Sequence, residues 1–338
     1  MTKIFITGIA GFLGSHLADA MLADGHTVTG VDNLLGGYID NVPIGVHRWY
    51  RGDCNEFDTL ISFMKAWKPE IVFHCAATAY EGLSVFSPHL VTQNIVGAST
   101  SVFSASIASG VRRVVHCSSM ARYGTGNPPF HEHAVPQPQD PYGIGKVCAE
   151  HMLRNLGETH GLEYVIAVPH NIIGPRQKYD DPYRNVASIM INRALQGKPI
   201  IVYGDGEQQR CFSYIDDCLV CLKAMAFQQD VVGEVINIGP DEEPVTINTL
   251  AQIVKEMTGE MRVPIQHMPG RPQEVRLALC SSDKARRLLG YKTSTSLRDG
   301  IGHMVDYISA RGTKPFEYHL PLEIVSEKTP TTWTWKLF

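Results

Sequence analysis

The chain has 338 residues, of which 44% are hydrophobic and 19% charged, and its formal net charge is −4. This balance is typical of a globular protein with one large α/β domain or two interlocked ones. The chain has 30 basic and 34 acidic residues, so it has no excess of positive charge to neutralise a phosphate backbone. We therefore expect no nucleic-acid partner. The sequence has no stretch of about 18 apolar residues, which argues against a membrane span.

The first part of the chain alternates short β-branched runs with helix-like segments. Candidate strands lie at 3–8, 27–33, 46–53, 70–77 and 112–119, and candidate helices at 14–25, 58–67 and 94–110. A further helix at 147–161 and a strand at 163–170 continue the pattern. This alternation predicts an α/β fold of the Rossmann type, a doubly wound parallel sheet whose ligands bind at the carboxyl ends of the strands.

The later segments are less regular and predict a second, smaller α/β domain that binds the substrate. We assign residues 1–170 to the dinucleotide-binding domain, with 211–240 crossing back into it. Residues 171–210 and 241–312 then form the substrate domain. The segment 313–338 has no interpretable period and is predicted to be a tail of unknown role.

The eight cysteines fall mostly within apolar runs, which indicates reduced, buried thiols in a cytoplasmic protein. Cys218 and Cys221 form a CxxC, but on a helical pattern and without a second ligand pair. The "HEH" at 131–133 is typical of a solvated loop. We therefore predict no metal site.

Three glycines mark a dinucleotide site. Gly8, Gly11 and Gly14 follow a strand and open a helix, which lets backbone N–H groups approach a pyrophosphate. The next strand ends in Asp32, whose carboxylate can accept both hydroxyls of an adenosine ribose and would repel a 2′-phosphate. The pattern favours NAD over NADP.

A tyrosine and a lysine stand four residues apart at the start of a helix, and therefore on one face. Tyr142 and Lys146 lie in "DPYGIGK", and Ser119 ends a strand about twenty residues earlier. A cation beside a phenol should lower the phenol's pKa from about 10 and create a general base.

These residues belong to a wider set of motifs: "GIAGFLG", "VDN", "GD" at 52–53, "HCAA", "SSMARYG", "YGIGK", "GPRQ", "YGDGEQQR" and "GRPQE". Over roughly residues 2–310 the sequence resembles the extended short-chain dehydrogenases/reductases of the nucleotide-sugar epimerase and dehydratase group. The resemblance implies NAD as cofactor, a UDP-sugar as substrate and Ser119, Tyr142 and Lys146 as the catalytic triad.

The resemblance also implies roles for residues outside the triad. The expected cofactor-binding residues are Gly8, Gly11, Phe12, Leu13, Gly14, Asp32, Asn33, Asp53, Cys54, Asn94, Tyr142 and Lys146. The expected substrate-binding residues are Ser119, Met120, Tyr142, Asn171, Arg210, Arg271 and Ala278. Among these, Asn171, Arg210 and Arg271 would hold the nucleotide diphosphate, since arginine pairs well with phosphate oxygens.

Three features depart from the family pattern. Cys211 stands where an aspartate usually follows the arginine, which puts the local support of Arg210 in doubt. Ala79 replaces a lysine of some galactose-type epimerases. The segment after about residue 312 exceeds what the family pattern explains.

The residues after Ser119 indicate the reaction. Sugar 4,6-dehydratases of this group carry an Asp-Glu pair there, whereas this chain has Met120 and Ala121, which transfer no proton. The resemblance therefore favours 4-epimerisation of a UDP-hexose through a 4-keto intermediate. Another 4-keto reaction (dehydratase, 2-epimerase or reductase) and a catalytically idle NAD-binding regulator are the alternatives.

The sugar stays open between UDP-Glc, UDP-GlcNAc and UDP-GlcA. Ala278 aligns with the position that gates the C2 substituent, where a small residue admits an N-acetyl group. A uronic acid is the alternative, with Arg122, Arg176 or Arg184 as partner of its carboxylate. The apolar helices at 94–110 and 147–161 further predict a homodimer, because relatives pair such helices.

Overall fold

The computed structural model describes residues 1–46 and 48–338. The strands are β1 (Lys3–Thr7), β2 (Thr27–Asp32), β3 (Trp49–Arg51), β4 (Ile71–His74), β5 (Arg113–Cys117), β6 (Glu163–Pro169), β7 (Ile172–Ile173), β8 (Ile200–Tyr203), β9 (Gln209–Arg210), β10 (Ser213–Tyr214), β11 (Val235–Ile238), β12 (Val245–Thr246), β13 (Ile265–Met268) and β14 (Leu277–Ala278). Residue 47 of the predicted strand 46–53 lies outside the described residues.

The helices are α1 (Phe12–Ala23), α2 (Phe57–Trp67), α3 (Glu81–Ser84), α4 (Pro88–Thr92), α5 (Ala98–Ala108), α6 (Pro141–His160), α7 (Val186–Leu195), α8 (Ile215–Phe227), α9 (Ile247–Thr258), α10 (Asp283–Leu289), α11 (Leu297–Arg311) and α12 (Thr331–Thr334). In the described part of the chain, none of these helices combines the length and apolar character that crossing a membrane requires.

The central sheet confirms the predicted doubly wound architecture. Its seven strands are all parallel and run in the order β11-β6-β5-β4-β1-β2-β3. Helices α1 and α8 pack on one face, and α2, α5 and α6 pack on the other. Covered on both sides, β4 and β5 are buried along their whole length, as expected for central parallel strands.

A second apolar core lies beyond the sheet and is built from α7, α9 and α11 with β8. Most of the segments predicted for the substrate domain contribute to this core. One segment differs from the predicted boundary, because Ala285 and Leu289 of α10 pack into the core of the central sheet, against α8 and β11. The division into two domains otherwise stays a prediction.

The helix predicted at 94–110 begins earlier than expected. It starts at Pro88, and a π-helical turn, Gln93–Gly97, joins α4 to α5. The Glu323 carboxylate accepts hydrogen bonds from His89 N and Leu90 N at 2.9 and 2.8 Å. A carboxylate from a distant segment thus supports a helix start that local sequence does not reveal.

Two stacked histidines lie inside the sheet. His74 on β4 and His116 on β5 are fully buried, with ring centroids 5.3 Å apart. His74 is hydrogen-bonded to Thr7 and Ser99, whereas neither ring nitrogen of His116 has a hydrogen-bond partner among the described residues. Burial lowers the pKa of His74 to about 3 and that of His116 well below its usual value.

This pair predicts acid sensitivity of the fold. Both rings are neutral in the folded protein but take up protons in the unfolded chain below the usual histidine pKa of 6.5. The free energy of unfolding should therefore fall by roughly 3–4 kcal/mol for the pair between about pH 7 and about pH 5. Urea unfolding at a series of pH values measures this slope.

His116→Leu should remove about half of that pH dependence without loss of stability at pH 7, since it also removes two unpaired buried nitrogens. The exposed His151 provides the control, because His151→Gln should leave the slope unchanged. An unaltered slope in His116→Leu would contradict the assignment.

Candidate active site

A cleft of about 480 Å³ lies at the carboxyl ends of the sheet strands. Every expected cofactor-binding and substrate-binding residue lines this cleft, and of the three arginines considered for a sugar carboxylate Arg184 does. The sequence prediction thus located one continuous site, although the role of each residue stays a proposal.

The glycine turn fits tightly at one end of the cleft. Gly8 has a φ of +73°, and its N–H donates to the Val31 carbonyl at 2.8 Å. A Cβ at Gly8 would lie 3.0 Å from Ala76 N, and one at Gly14 would overlap the Gly8 carbonyl. The helix α1 begins at this turn without a side-chain cap, which leaves its N–H groups for an anion such as a pyrophosphate.

Asp32 is buried beside this turn with a fixed orientation. Its two carboxylate oxygens accept from Ala10 N at 2.8 Å and from Leu34 N at 2.7 Å. Burial raises the pKa of Asp32, and these backbone bonds oppose the increase. Each oxygen retains acceptor capacity for a ribose hydroxyl, so the site fits the adenosine half of NAD.

The predicted adenine-side residues form a connected group. Asn33 Nδ2 donates to Asp53 at 2.8 Å, and Asp53 in turn accepts from the backbone and side chain of Asn55. Asn55 also donates to Asn94 Oδ1 at 3.2 Å, which ties the π-helical turn to this group, although the resemblance implies a place for Asn94 nearer the nicotinamide side. Cys54 is buried against the same wall.

The three predicted catalytic residues come from β5 and α6. Ser119 follows β5, and its Oγ accepts from Ala121 N at 3.2 Å. Asp140 caps α6 by accepting from Gly143 N at 2.8 Å, which places Tyr142 in the first turn. One turn later, Lys146 Nζ donates to the Cys117 carbonyl at 2.7 Å.

The pKa values differ from the expectation based on sequence spacing. Burial raises the pKa of Tyr142 to about 12, and the Ser119 hydroxyl opposes this increase. The Lys146 ammonium lies 5.9 Å from the Tyr142 ring centroid, and burial lowers its pKa to about 8. Desolvation therefore outweighs the lowering by Ser119 and Arg184, and the lowering of the phenol pKa that the sequence led us to expect from Lys146 is not found in the protein alone.

A buried ionic cluster joins the loop after β5 to α6. Glu150 accepts from Ser118 Oγ at 2.5 Å and from Arg122 Nε and Nη2, both at 3.0 Å. The side chains of Arg122 and Glu150 are 4% and 3% exposed. Ser118 is the neighbour of Ser119, and Glu150 lies one turn beyond Lys146, so the cluster fixes the distance between the two catalytic elements.

The predicted substrate residues form the other end of the cleft. Arg210 on β9 pairs in register with Ala278 on β14, so both reach the same wall. Arg271 forms an ion pair with Glu274 at 3.0 Å. These guanidinium groups supply the positive charge that a diphosphate requires.

Asn171 lies between the catalytic and arginine ends. It has a φ of +44°, and its Nδ2 donates to the Cys211 carbonyl at 2.9 Å. Cys211 Sγ contacts the Glu242 carbonyl at 3.4 Å. Neither contact involves the Arg210 guanidinium, whose Nη1 donates to the Gln209 carbonyl at 2.8 Å.

Sequence reasoning missed the carboxyl group of Glu81. Glu81 lines the cleft. Its side chain is open to the interior of the cleft, and the protein walls of the cleft surround it. Burial raises the pKa of Glu81 to about 7, with Asp140 adding to the increase and Arg210 and Arg271 opposing it. Its position shortly after β4, at the carboxyl edge of the sheet, was the available signal.

The three arginines considered for a sugar carboxylate have different environments. Arg122 is neutralised by Glu150, and Arg176 pairs with Asp19 at 2.6 Å. Arg184 lines the cleft, and within the described residues it forms no ion pair. Its guanidinium carbon lies 5.4 Å from the Tyr80 ring centroid.

The "HEH" segment and the CxxC offer no metal centre. His131 and His133 stack on each other, while Cys218 and Cys221 are buried in the helix α8. Across residues 1–46 and 48–338, no three His, Cys, Asp or Glu side chains are grouped to hold a metal ion. All eight cysteines are free thiols.

One parallel sheet carries the glycine turn, the carboxylate after β2 and the Ser-Tyr-Lys set. Together these features define the class of proteins to which the chain belongs. The family model "NAD dependent epimerase/dehydratase family" matches residues 4–239, and the chain belongs to this family.

The chain is similar to the UDP-glucose 4-epimerase of Mycolicibacterium smegmatis, with 32% identity over 316 residues that cover 90% of this chain and 98% of the relative. It superimposes on the UDP-glucose 4-epimerase of Thermotoga maritima, solved with UDP-glucose, with a TM-score of 0.86 and 31% sequence identity. The match covers 91% of this chain and 99% of that one. The chain also superimposes on a UDP-glucuronic acid 4-epimerase of Bacillus cereus, solved with UDP-glucuronic acid and NAD. The TM-score is 0.83 and the sequence identity 28%, and the match covers 92% of this chain and 100% of that one. Further relatives are named as decarboxylases of uronic acid sugars.

The cluster around Glu150 predicts a large cost for removing one charge. Arg122→Met leaves the Glu150 carboxylate buried without its partner, and such changes cost about 3–5 kcal/mol. We expect this loss in urea unfolding together with reduced turnover. Arg298→Met, which breaks an exposed pair with Glu256, should cost less than about 1 kcal/mol. Similar losses in both variants would show that the buried cluster has no special role.

Proposed function

We propose that the chain is an NAD-dependent UDP-hexose 4-epimerase that interconverts UDP-Glc and UDP-Gal, UDP-GlcNAc and UDP-GalNAc, or both pairs. The observation that carries this proposal is the placement of Ser119, Tyr142 and Lys146 on one wall of the cleft while Met120 and Ala121 follow the serine. The similarity to UDP-sugar 4-epimerases supports the same reaction.

In this reaction Tyr142 accepts the proton of the sugar 4-hydroxyl, and Ser119 orients that hydroxyl by hydrogen bonding. The cofactor that the glycine turn and Asp32 would hold, NAD⁺, would supply reversible hydride acceptance at C4 of the sugar. The Lys146 ammonium would stabilise the phenolate once the ligands are bound, which matters because burial raises the pKa of Tyr142 to about 12 in the protein alone. Arg210 and Arg271 hold the diphosphate while the sugar turns.

The absence of an acid pair after Ser119 supports epimerisation over elimination. Neither Met120 nor Ala121 can remove a C5 proton or protonate a C6 hydroxyl. Glu81 is a carboxyl of the cleft whose charge acts on Tyr142 and which is itself acted on by Arg210 and Arg271, so it borders the space between them, where the sugar is proposed to bind. We therefore assign Glu81 to sugar recognition and not to elimination.

Two features favour a neutral sugar. The Glu81 carboxylate would repel a uronic acid carboxylate within a protein-walled cleft. Ala278, which is 5% exposed, leaves room for a substituent at C2, in line with the N-acetyl group that the sequence suggests. Both features agree with UDP-Glc or UDP-GlcNAc as substrate.

UDP-GlcA is the second candidate, and Arg184 favours it. This guanidinium lines the cleft without an ion-pair partner in the described part of the chain. It could hold a sugar carboxylate, as bidentate arginines commonly do. The homodimer and the cytoplasmic location, too, stay proposals from the sequence.

Incubation with UDP-Glc, UDP-GlcNAc and UDP-GlcA, followed by NMR of the products, tests the reaction. We expect the C4 epimer from at least one neutral sugar and no net consumption of NADH. Tyr142→Phe should lower turnover by about 10²–10⁴-fold while nucleotide binding is retained. A 4-keto-6-deoxy product, or the lack of a C4 epimer from every sugar, would refute the proposal.

Glu81→Gln tests the choice between neutral and acidic sugars. Removing the charge should raise kcat/KM for UDP-GlcA relative to UDP-Glc about tenfold, which corresponds to about 1.4 kcal/mol of repulsion. In the wild type this preference for UDP-Glc should grow as the pH rises through about 7, where Glu81 ionises. Titrations that change kcat/KM equally for both substrates cancel in the ratio of the two kcat/KM values. A ratio that does not change with pH in the wild type would therefore contradict a role for Glu81.

A further inference from the structure

Two cysteines stand at the carboxyl ends of neighbouring strands. Cys75 directly follows β4, and Cys117 is the last residue of β5. The residues before them, His74 and His116, are paired in register, so the two cysteines lie side by side on the opposite face of the sheet. Their Sγ atoms are 3.8 Å apart. Both cysteines line the cleft, where a small solute can reach them.

The backbone at this pair already suits a disulfide. Neighbouring strands are spaced by about 4.8 Å, which lies within the Cα separations of about 4.4–6.8 Å that disulfides span. Both cysteines are free thiols in this structure. A disulfide bond is about 2.05 Å long, so the two sulfurs have to approach each other by about 1.8 Å to form it.

The two thiols differ in reactivity. The Cys75 thiol donates a hydrogen bond to the Cys117 sulfur, which holds the pKa of Cys117 below its usual value. Burial opposes this lowering, and the Lys146 ammonium adds to it. The same hydrogen bond, together with burial, raises the pKa of Cys75. Because the thiolate is the nucleophile, Cys117 is the thiol that reacts first with an electrophile.

The backbone of both cysteines contacts the expected cofactor site. A Cβ on Gly8 would lie 3.3 Å from the carbonyl carbon of Cys75, so the glycine turn packs directly on the chain that follows β4. The Cys117 carbonyl accepts the hydrogen bond from Lys146 Nζ at 2.7 Å. A movement that brings the two sulfurs together therefore acts on the glycine turn and on the anchor of Lys146.

We propose that Cys75 and Cys117 form a redox-sensitive pair, which hydrogen peroxide converts to a disulfide, and that this disulfide weakens the binding of NAD. The Cys117 sulfur attacks one peroxide oxygen, which gives a sulfenic acid and one water. The Cys75 sulfur then attacks the sulfenic sulfur, the S–S bond forms and a second water leaves. The two thiols lose two protons and two electrons, and one peroxide becomes two waters. A dithiol reverses the modification and is itself oxidised to a disulfide.

This modification is independent of the sugar, because it requires only the thiol pair and the cofactor site. A matching loss of turnover would rest on the proposed function. The pair also differs from the other thiols of the chain. Cys218 and Cys221 are fully buried in α8 and do not line the cleft. Cys148 on α6 is half-buried, as Cys75 is, but it lies outside the cleft.

Peroxide treatment of the full chain, followed by peptide mapping and titration with NAD, tests the proposal. Cleavage after Arg112 and Arg113 separates the two cysteines into different tryptic peptides, which the disulfide joins. We expect the joined peptide after oxidation and its loss after treatment with dithiothreitol. The Kd for NAD should rise about tenfold or more on oxidation, because a binding site tolerates displacements of only about 0.5 Å, and it should return on reduction.

Three variants assign the response to this pair. Cys117→Ser should bind NAD like the wild type and keep that affinity after peroxide treatment. Cys75→Ser should leave Cys117 as a sulfenic acid, which dimedone labels. Cys148→Ser is the matched control and should respond to peroxide as the wild type does. Recovery with dithiothreitol separates the disulfide from oxidation of Met120 in the same cleft, since dithiothreitol does not reduce a methionine sulfoxide.

The joined peptide is measured on the wild type and does not depend on the folding of a variant. Its absence, or an unchanged Kd for NAD once it has formed, overturns the inference and leaves the proposed function intact. A loss of NAD affinity in Cys117→Ser as large as that in the wild type also overturns the inference alone. Failure of the reduced wild type to bind NAD contradicts the proposed function together with the inference.

Discussion

A buried ion pair sets the geometry of this site. Arg122 leaves the loop after β5, Glu150 lies on α6, and the pair also binds Ser118. Ser119 belongs to one side of this contact, and Tyr142 and Lys146 belong to the other, so their mutual distances depend on it. A charge pair in the interior has strong geometric requirements, because any departure leaves an unpaired charge out of water.

The charge distribution along the cleft follows the same order as the expected ligands. The cleft is lined by the Asp32 carboxylate, by Tyr142 and Lys146, and by Arg210 and Arg271. Under the proposed function these groups would meet the ribose, the reacting atoms and the diphosphate in turn. Such an arrangement would set the direction in which the cofactor and the substrate lie.

The sequence predicted the parallel sheet and a set of residues that share one cleft, because both depend on local patterns. Alternating strands and helices, the glycine spacing and the Tyr-Lys spacing all fall within short windows. The departures involve contacts over long distances in sequence: α10 packs on α8, and Glu323 supports the start of α4. Glu81 was missed because a single carboxyl after a strand resembles any surface acid until its surroundings are known.

The contact of Glu323 with the helix start has a mechanical consequence. The same helix continues through the π-helical turn that carries Asn94, which lines the cleft. The segment 313–338, whose Phe338 also lines the cleft, therefore supplies the anion at the N-terminus of a helix that reaches the cleft. Two parts of the cleft wall thus share one scaffold, so a change in the position of this segment would be transmitted to both.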